Sequence, residues 1–389
     1  MFVKRDIDGE FRKRERAYGL ITVVGARQAG KTTFLKEQGK EKKISYLLFD
    51  DPDIRTLFEE DIKKFEKQYL EGYEIAIFDE VQYCKNVGRN LKYLADSNRK
   101  IWLTASSEMI LSKEVLSYLV GRVSVMRLYP FSLHEFLVAK SQKEFTKQML
   151  ERNIWEHINY GGYPKIVLEE DSELKKTILK DLYDTMVLKD IASVFSIEDI
   201  RSLEIFIKHL ALNIGNVVSY ETLTNDIKLS FQTIKKYLDA MEKSYLITRV
   251  KPYFNNKTKE IIKQPKIFFI DTGLRNIITK TFEIEPSGSL FENYVFSELV
   301  KLGFIPKYWR TKSKQEVDFI IEKDSEVIPI EVKLSSSEKI KEGFYSFIES
   351  YQSKRAFVVY YKGEERKEKR GKCEIEFVNI SDLKKKLMG

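Results

Sequence analysis

Two sets of residues in this chain have the types and spacing to act on phosphate esters. The first is Gly25-Ala26-Arg27-Gln28-Ala29-Gly30-Lys31-Thr32, which matches the phosphate-loop pattern G-x-x-x-x-G-K-[ST]. Its glycines let backbone N–H groups close on phosphate oxygens with no Cβ in the way. A helix starting at the lysine adds partial positive charge at the same spot. The loop and the adjoining Thr33 would cradle a nucleoside triphosphate, with Lys31 reaching the β- and γ-phosphates and the Thr32 hydroxyl ligating Mg²⁺. Asp79-Glu80 ends the apolar run Ile75-Ala76-Ile77-Phe78. An acid at the end of a buried strand is costly unless it serves a cation. Asp79 is therefore read as holding the Mg²⁺ through water, and Glu80 as polarising the attacking water. Thr104 and Ser106, closing the next apolar run, would sense the γ-phosphate. Arg122 offers a guanidinium that would complete the site, from the same subunit or a neighbouring one; an ordinary salt bridge accounts for it as well. No N-K-x-D base-reading motif follows, since Asn256-Lys257-Thr258-Lys259 ends in lysine. ATP is favoured over GTP.

The second set lies towards the C-terminal end. Asp318 sits in Glu316-Val317-Asp318-Phe319-Ile320-Ile321, and Glu331 and Lys333 in Val327-Ile328-Pro329-Ile330-Glu331-Val332-Lys333. Alternation along a strand places Glu331 and Lys333 on one face, with Ile330 and Val332 on the other. A turn at Lys323-Asp324-Ser325 lets Asp318 lie opposite. Two carboxylates can hold Mg²⁺ against a scissile phosphate while the adjacent lysine orients or deprotonates water. Glu292, on a helix begun after Gly288-Ser289, would complete the cluster or bind a second metal. The plain alternatives are a solvated hairpin and a scaffold whose activity has been lost.

Positioning the first set requires a sheet. Apolar runs at 20–24, 44–49, 75–78, 101–104 and 123–126, separated by helical patterns, predict a parallel α/β arrangement. From about 132 to 213 the pattern is helical, broken at Gly161-Gly162-Tyr163-Pro164, and reads as a lid on that sheet. Ser219 and Ser230 are placed to cap helices at 218–227 and 231–241. Strand-like 246–250, a polar turn at Asn255-Asn256-Lys257 and strand-like 266–270 follow. Two helices across a tight turn and then a hairpin is the winged helix-turn-helix arrangement. Gln232, Lys235 and Lys236 would face outward, where a DNA major groove could meet them. The same fold also serves for protein docking. The remaining order is a helix at 290–300, strands at 305–309, 316–321 and 327–333, a helix at 340–351 and a strand at 356–360. The basic run 362–372 could touch a phosphate backbone, but reads first as a mobile, solvated loop.

Taken together, these residues resemble a prokaryotic AAA-type P-loop ATPase family whose C-terminal half is a domain of unknown function (DUF4143). The likeness is carried by the phosphate loop, Phe49-Asp50-Asp51-Pro52, Phe78-Asp79-Glu80-Val81-Gln82, Leu103-Thr104-Ala105-Ser106-Ser107, Gly121-Arg122 and Pro130-Phe131-Ser132-Leu133-His134-Glu135-Phe136. It continues through Gly161-Gly162-Tyr163-Pro164 and Phe269-Ile270-Asp271-Thr272-Gly273-Leu274. Ala105 and His134 depart from the family's usual glycine and arginine, and neither touches phosphate chemistry. The last unit resembles the PD-(D/E)XK nuclease fold, and Glu292, Asp318, Glu331 and Lys333 match the residue types that resemblance assigns. The expected fold class is α/β: an AAA-type ATPase domain at 1–135, a helical lid at 136–215, a winged helix-turn-helix at 216–285 and a nuclease-like domain at 286–389.

Composition narrows the function classes. With 67 Lys and Arg against 59 Asp and Glu, a net charge of +8 permits nucleic-acid contact without demonstrating it. Cys84 and Cys373 are far apart, which argues against a disulfide scaffold or zinc ribbon. His134, His157 and His209 are too scattered for a histidine metal cluster or a Ser-His-Asp triad. The N-terminus lacks the apolar core of a signal peptide and no apolar run approaches membrane-spanning length. The expectation is a soluble, cytoplasmic protein with no membrane partner, using ATP and Mg²⁺, with self-association left open. It would hydrolyse ATP and act on DNA, with a metal-dependent nuclease site. The alternative is a nucleotide-operated switch whose C-terminal modules bind proteins and cut nothing.

Overall fold

The computed structural model describes residues 2–81, 84–106, 113–140, 146–254 and 264–388. In its first third, strands β1 (Leu20–Val24), β2 (Ile44–Leu48), β3 (Ile75–Asp79), β4 (Ile101–Ala105) and β5 (Val123–Arg127) form a parallel sheet in the order β2-β3-β4-β1-β5. The sequences dictate that order. β1, β3 and β4 are buried at every position, as inner strands covered on both faces must be, whereas β2 and β5 alternate and lie at the edges. One face packs on a knot of phenylalanines, with Phe49 and Phe58 edge to face at 5.1 Å and Phe58 and Phe65 at 5.2 Å. The other carries Phe11 against Phe34 and Trp102. Each buried ring removes enough apolar area from water to contribute roughly 1.5–3 kcal/mol.

The middle is helical, as its apolar spacing requires. Ser132 and Glu135 form a capping box that starts Leu133–Ala139, and helices Lys147–Tyr160, Ser172–Thr185 and Ile200–Leu212 follow. Ser172–Thr185 runs directly into a π-helical stretch, Met186–Ser193. Helices Tyr220–Ile227 and Phe231–Lys243 are capped by Ser219 and Ser230, and β6 (Ile247–Val250) pairs antiparallel with β7 (Lys266–Phe269). The expected turn at Asn255-Asn256-Lys257 lies outside the described residues, as do Ser107 and Gln82.

Helix Gly288–Lys301, capped by Ser287, leads into a mixed sheet of order β12-β13-β11-β10-β9-β8. Its strands are β8 (Lys307–Arg310), β9 (Glu316–Lys323), β10 (Glu326–Ser335), β11 (Arg355–Lys362), β12 (Arg366–Arg370) and β13 (Cys373–Asn379). Asp324 and Ser325 both take positive φ, 48° and 65°, the geometry that closes a two-residue hairpin between β9 and β10. Helix Glu342–Tyr351 carries the chain from β10 to the parallel β11. The basic run 362–372 is not a loop: its centre is β12, antiparallel to β13. Charge made it look unstructured, but most of its cations have partners. Lys367 pairs with Glu374 at 2.5 Å, and the Arg366 guanidinium lies 3.4 Å from the centre of the Phe377 ring.

Two distant glycine motifs meet in one joint. Asp271 accepts a hydrogen bond from the Gly162 amide at 2.8 Å. A Cβ on Gly161 would fall 2.0 Å from Asp271 Oδ1, and one on Gly273 would fall 2.2 Å from the Tyr160 carbonyl. Nearby, buried His157 places Nε2 3.1 Å from the Phe131 carbonyl and Nδ1 2.7 Å from Tyr294 Oη. A carbonyl only accepts, so Nε2 carries the proton and Nδ1 accepts from the tyrosine. Burial holds this ring well below the usual histidine range, so it stays neutral.

Candidate nucleotide site and C-terminal acidic cluster

The phosphate loop opens at Gly25, whose φ is +154° and whose Cβ, if present, would lie 2.0 Å from the Leu128 carbonyl. No other residue fits there. Gln28 and Gly30 also take positive φ, 59° and 96°, curling Ala26 to Gly30 around the start of helix Lys31–Gln38. Arg5 braces the loop from behind, donating to the Ala29 carbonyl at 2.9 Å and pairing with Glu135 at 3.0 Å. Lys31 is buried, and its Nζ donates to the carbonyls of Gly25 and Ala26 at 2.9 and 3.0 Å. Burial pushes this amine below the ordinary lysine range, opposed by the charges of Glu80, Asp190 and Asp79. Thr33 is exposed on the first turn of the helix.

Asp79 gathers hydroxyls. Thr32 Oγ1 lies 2.9 Å from both of its oxygens, Tyr46 Oη donates at 2.6 Å, and Thr104 Oγ1 donates as well. The Glu80 amide in turn donates to Thr104 Oγ1 at 3.1 Å. Glu80 sits at φ +60°, a left-handed conformation that a glutamate adopts only when its surroundings hold it there. Ser106 Oγ is 3.1 Å from Glu80 Oε2 and 3.3 Å from Asp190 Oδ1. Asp190 is buried and comes from the π-helical stretch. Arg27 grips it with Nε 2.9 Å from Oδ2 and Nη2 2.8 Å from Oδ1.

The geometry suits a triphosphate and Mg²⁺. The loop's opening glycine has no room for a side chain, a helix N-terminus faces the cradle, and a hydroxyl and a carboxylate supply the hard oxygen ligands that Mg²⁺ prefers. Thus Lys31, Thr32, Asp79, Glu80, Thr104 and Ser106 are brought together. Arg122 is not among them; it pairs with Asp96 at 2.8 Å on the surface. Tyr46 and Asp190 were missed in the sequence. Tyr46 carries no motif. Asp190 did leave a signal, a lone acid within the apolar run Met186 to Ile191.

In the C-terminal unit, β9 and β10 pair with Ile330 opposite Phe319, so the next residues along are Glu331 and Asp318. Asp318 Oδ2 accepts from the Val332 amide at 2.8 Å, and Lys333 Nζ donates to Glu331 Oε1 at 2.9 Å. Lys341 reaches Asp318 at 3.3 Å and Glu331 at 3.8 Å. Buried Lys266 lies between Glu292, at 3.1 Å, and Glu316. Burial, then the charge of Asp318, pushes both Glu331 and Glu292 above the usual carboxylate range. Glu331 Oε2 is buried without a hydrogen-bond partner. Among the described residues, no three His, Cys, Asp or Glu side chains are grouped closely enough to hold a metal ion. Asp318, Glu331 and Lys333 do converge, with Glu292 joined to them through Lys266 and the field of Asp318. Gln232, Lys235 and Lys236 are exposed, and Lys236 donates to the Ser196 carbonyl at 2.8 Å.

Residues 17–137 match the AAA domain family, 151–285 a domain of unknown function (DUF8612) and 287–383 a domain of unknown function (DUF4143). An uncharacterized protein of Haemophilus influenzae is 30% identical over 338 residues, covering 82% of this chain and 84% of that protein. The uncharacterized protein MJ1544 of Methanocaldococcus jannaschii is 30% identical over 342 residues, covering 82% and 76%. Among solved structures, the Walker-type ATPase PABY2304 of Pyrococcus abyssi aligns with a TM-score of 0.47 at 15% identity, over 71% of this chain and 96% of that one. The chain therefore belongs to the family of these Haemophilus and Methanocaldococcus proteins. Its first third is a P-loop AAA domain, which implies nucleotide binding, and its last part is the DUF4143 domain. No helix among the described residues is long and apolar enough to cross a membrane.

Proposed function

We propose that the chain hydrolyses ATP and uses the nucleotide cycle to act on DNA through its C-terminal half. The carrying observation is the assembly around Asp79: a lysine buried in the loop, a threonine hydroxyl on the acid, and Glu80 beside it on strained backbone. Lys31 and the loop amides would hold the phosphates, Thr32 and Asp79 the Mg²⁺, and Glu80 is set to take a proton from the attacking water. Mg²⁺, when bound, supplies charge neutralisation on the phosphate oxygens. Arg122 remains a candidate finger for a neighbouring subunit, since its pairing with Asp96 is exposed and easily exchanged.

For the C-terminal half, the winged-helix reading draws on the helix pair and the β6–β7 hairpin, with Gln232, Lys235 and Lys236 on the exposed side. The nuclease reading draws on Asp318, Glu331 and Lys333, and on the partnerless Glu331 Oε2, an oxygen whose unmet demand a divalent ion would satisfy. Glu292 would join them as an outer ligand. A second reading has its own observation. Lys266 and Lys341 already occupy positions among the acids, which favours a switch that binds proteins and cuts nothing. Labelled single- and double-stranded DNA incubated with Mg²⁺ or Mn²⁺, with and without ATP, decides between them. Cleavage by the wild type and a loss of about a hundredfold in the Glu331→Ala, Lys333→Ala double variant is expected. Equal, background-level degradation by both proteins removes the nuclease reading and leaves the ATPase untouched.

A further inference from the structure

Asp190 has no role in holding or hydrolysing nucleotide as described so far, yet it is the most completely enclosed carboxylate at that site. It is 1% exposed, and it belongs to the helical middle rather than to the sheet. The chain places it with a π-helical stretch, Met186–Ser193, at the end of an otherwise regular helix. Such insertions re-aim one side chain and recur at functional sites. Its two oxygens are held by Arg27, from within the phosphate loop, and by Ser106, from the end of β4. Planar, two-pronged donation by a guanidinium to paired oxygens is equally the geometry by which arginine grips a phosphate. Ser106 has one proton, and it faces two acceptors, Glu80 and Asp190.

The backbone of the same residue points elsewhere. The Asp190 carbonyl accepts from Ser244 Oγ at 2.8 Å, and Ser244 is the residue that ends helix Phe231–Lys243. A few residues on, the Ser196 carbonyl accepts from Lys236 of that helix, and Phe195 lies under Lys243 at 6.0 Å. One short segment therefore touches the phosphate loop with a side chain and the Phe231–Lys243 helix with its main chain.

We propose that Asp190 is the residue by which this protein tells ATP from ADP: its carboxylate stands in for the γ-phosphate on Arg27 and Ser106, and the third phosphate must displace it. This rests on the nucleotide-binding reading above and adds to it which groups read the γ-phosphate. ADP leaves the Arg27–Asp190 grip intact. ATP brings like charge beside a buried carboxylate and competes for both donors, so Asp190 withdraws and takes the Ser244 and Lys236 contacts with it.

The test compares affinities of the full chain for ADP and a non-hydrolysable ATP analogue by calorimetry. Asparagine keeps the size of Asp190 and removes its charge. Asp190→Asn should raise the ATP-to-ADP affinity ratio about tenfold, chiefly by tightening the analogue. Arg27→Gln should move the ratio the other way, because the analogue loses a donor that ADP does not use. A ratio unchanged in both folded variants overturns the proposal while leaving nucleotide binding standing. Absence of binding to the wild type overturns the nucleotide reading instead. A measurement on the wild type needs no variant to fold. Amide hydrogen exchange across Met186–Ser193 should be faster with the analogue than with ADP, and equal rates overturn the proposal.

Discussion

The two buried acidic clusters on the sheets of this protein are quieted by different chemistry. Around Asp79 and Glu80 the neighbours are hydroxyls, from Thr32, Tyr46, Thr104 and Ser106. Hydroxyls satisfy oxygen lone pairs but cancel no charge, and the buried Lys31 ammonium, whose hydrogen bonds go to the Gly25 and Ala26 carbonyls, acts on these acids only through space, so Asp79 keeps an appetite for a cation. Around Asp318 and Glu331 the neighbours are ammonium groups. Four carboxylates, with Glu292 and Glu316, face Lys266, Lys333 and Lys341. Three lysines offset most of the charge of four acids, and a metal there must compete with them. The donors surrounding the acids thus distinguish a cluster left open to a cation from one that already holds its own.

The largest effect that would break this contrast is kinetic. Glu80→Gln should bind ATP as the wild type does and lose roughly 10²–10⁴-fold in single-turnover hydrolysis, the usual worth of a general base. Wild-type turnover would remove Glu80 from that role. Next is Lys266→Met, which strips the cation from between Glu292 and Glu316. Unfolding in urea without divalent ions should show a loss of about 3–5 kcal/mol, as when one partner of a buried pair is removed. Adding Mg²⁺ should return part of that loss, and no return would mean that the cluster cannot trade an ammonium for a metal. The smallest effect is at Arg122. Arg122→Ala should change stability by only about 0–1 kcal/mol, as for exposed pairs. Mixing it with a Lys31→Ala protein then asks whether hydrolysis returns, as an arginine shared between subunits requires.

The parallel sheet was legible because its inner strands are apolar runs of the length that buried strands need, with Asp79-Glu80 closing one of them. The caps at Ser219 and Ser230 were readable from a hydroxyl set before an apolar helical period, whereas the capping box at Ser132 went unread. Lys266 was not legible, and Asp190 left only the signal of an acid inside an apolar helical period. Both sit in largely apolar stretches where a charge looks like an interruption, and their partners lie on other elements. Arg366 to Arg370 misled for the opposite reason, since a strand whose side chains all face solvent or pair with neighbours carries no apolar alternation. The glycines at 161 and 162 read only as a break between helices, and the fold showed that they and Gly273 pack against each other's segments.

That outermost ribbon, Arg366 to Arg370, also limits how copies of the protein can associate. Its free backbone edge would ordinarily invite a strand from another molecule. A second copy brought up edge to edge would set Arg366, Lys367, Lys369 and Arg370 against their own likenesses. Self-assembly by lengthening the β-sheet is disfavoured at that border.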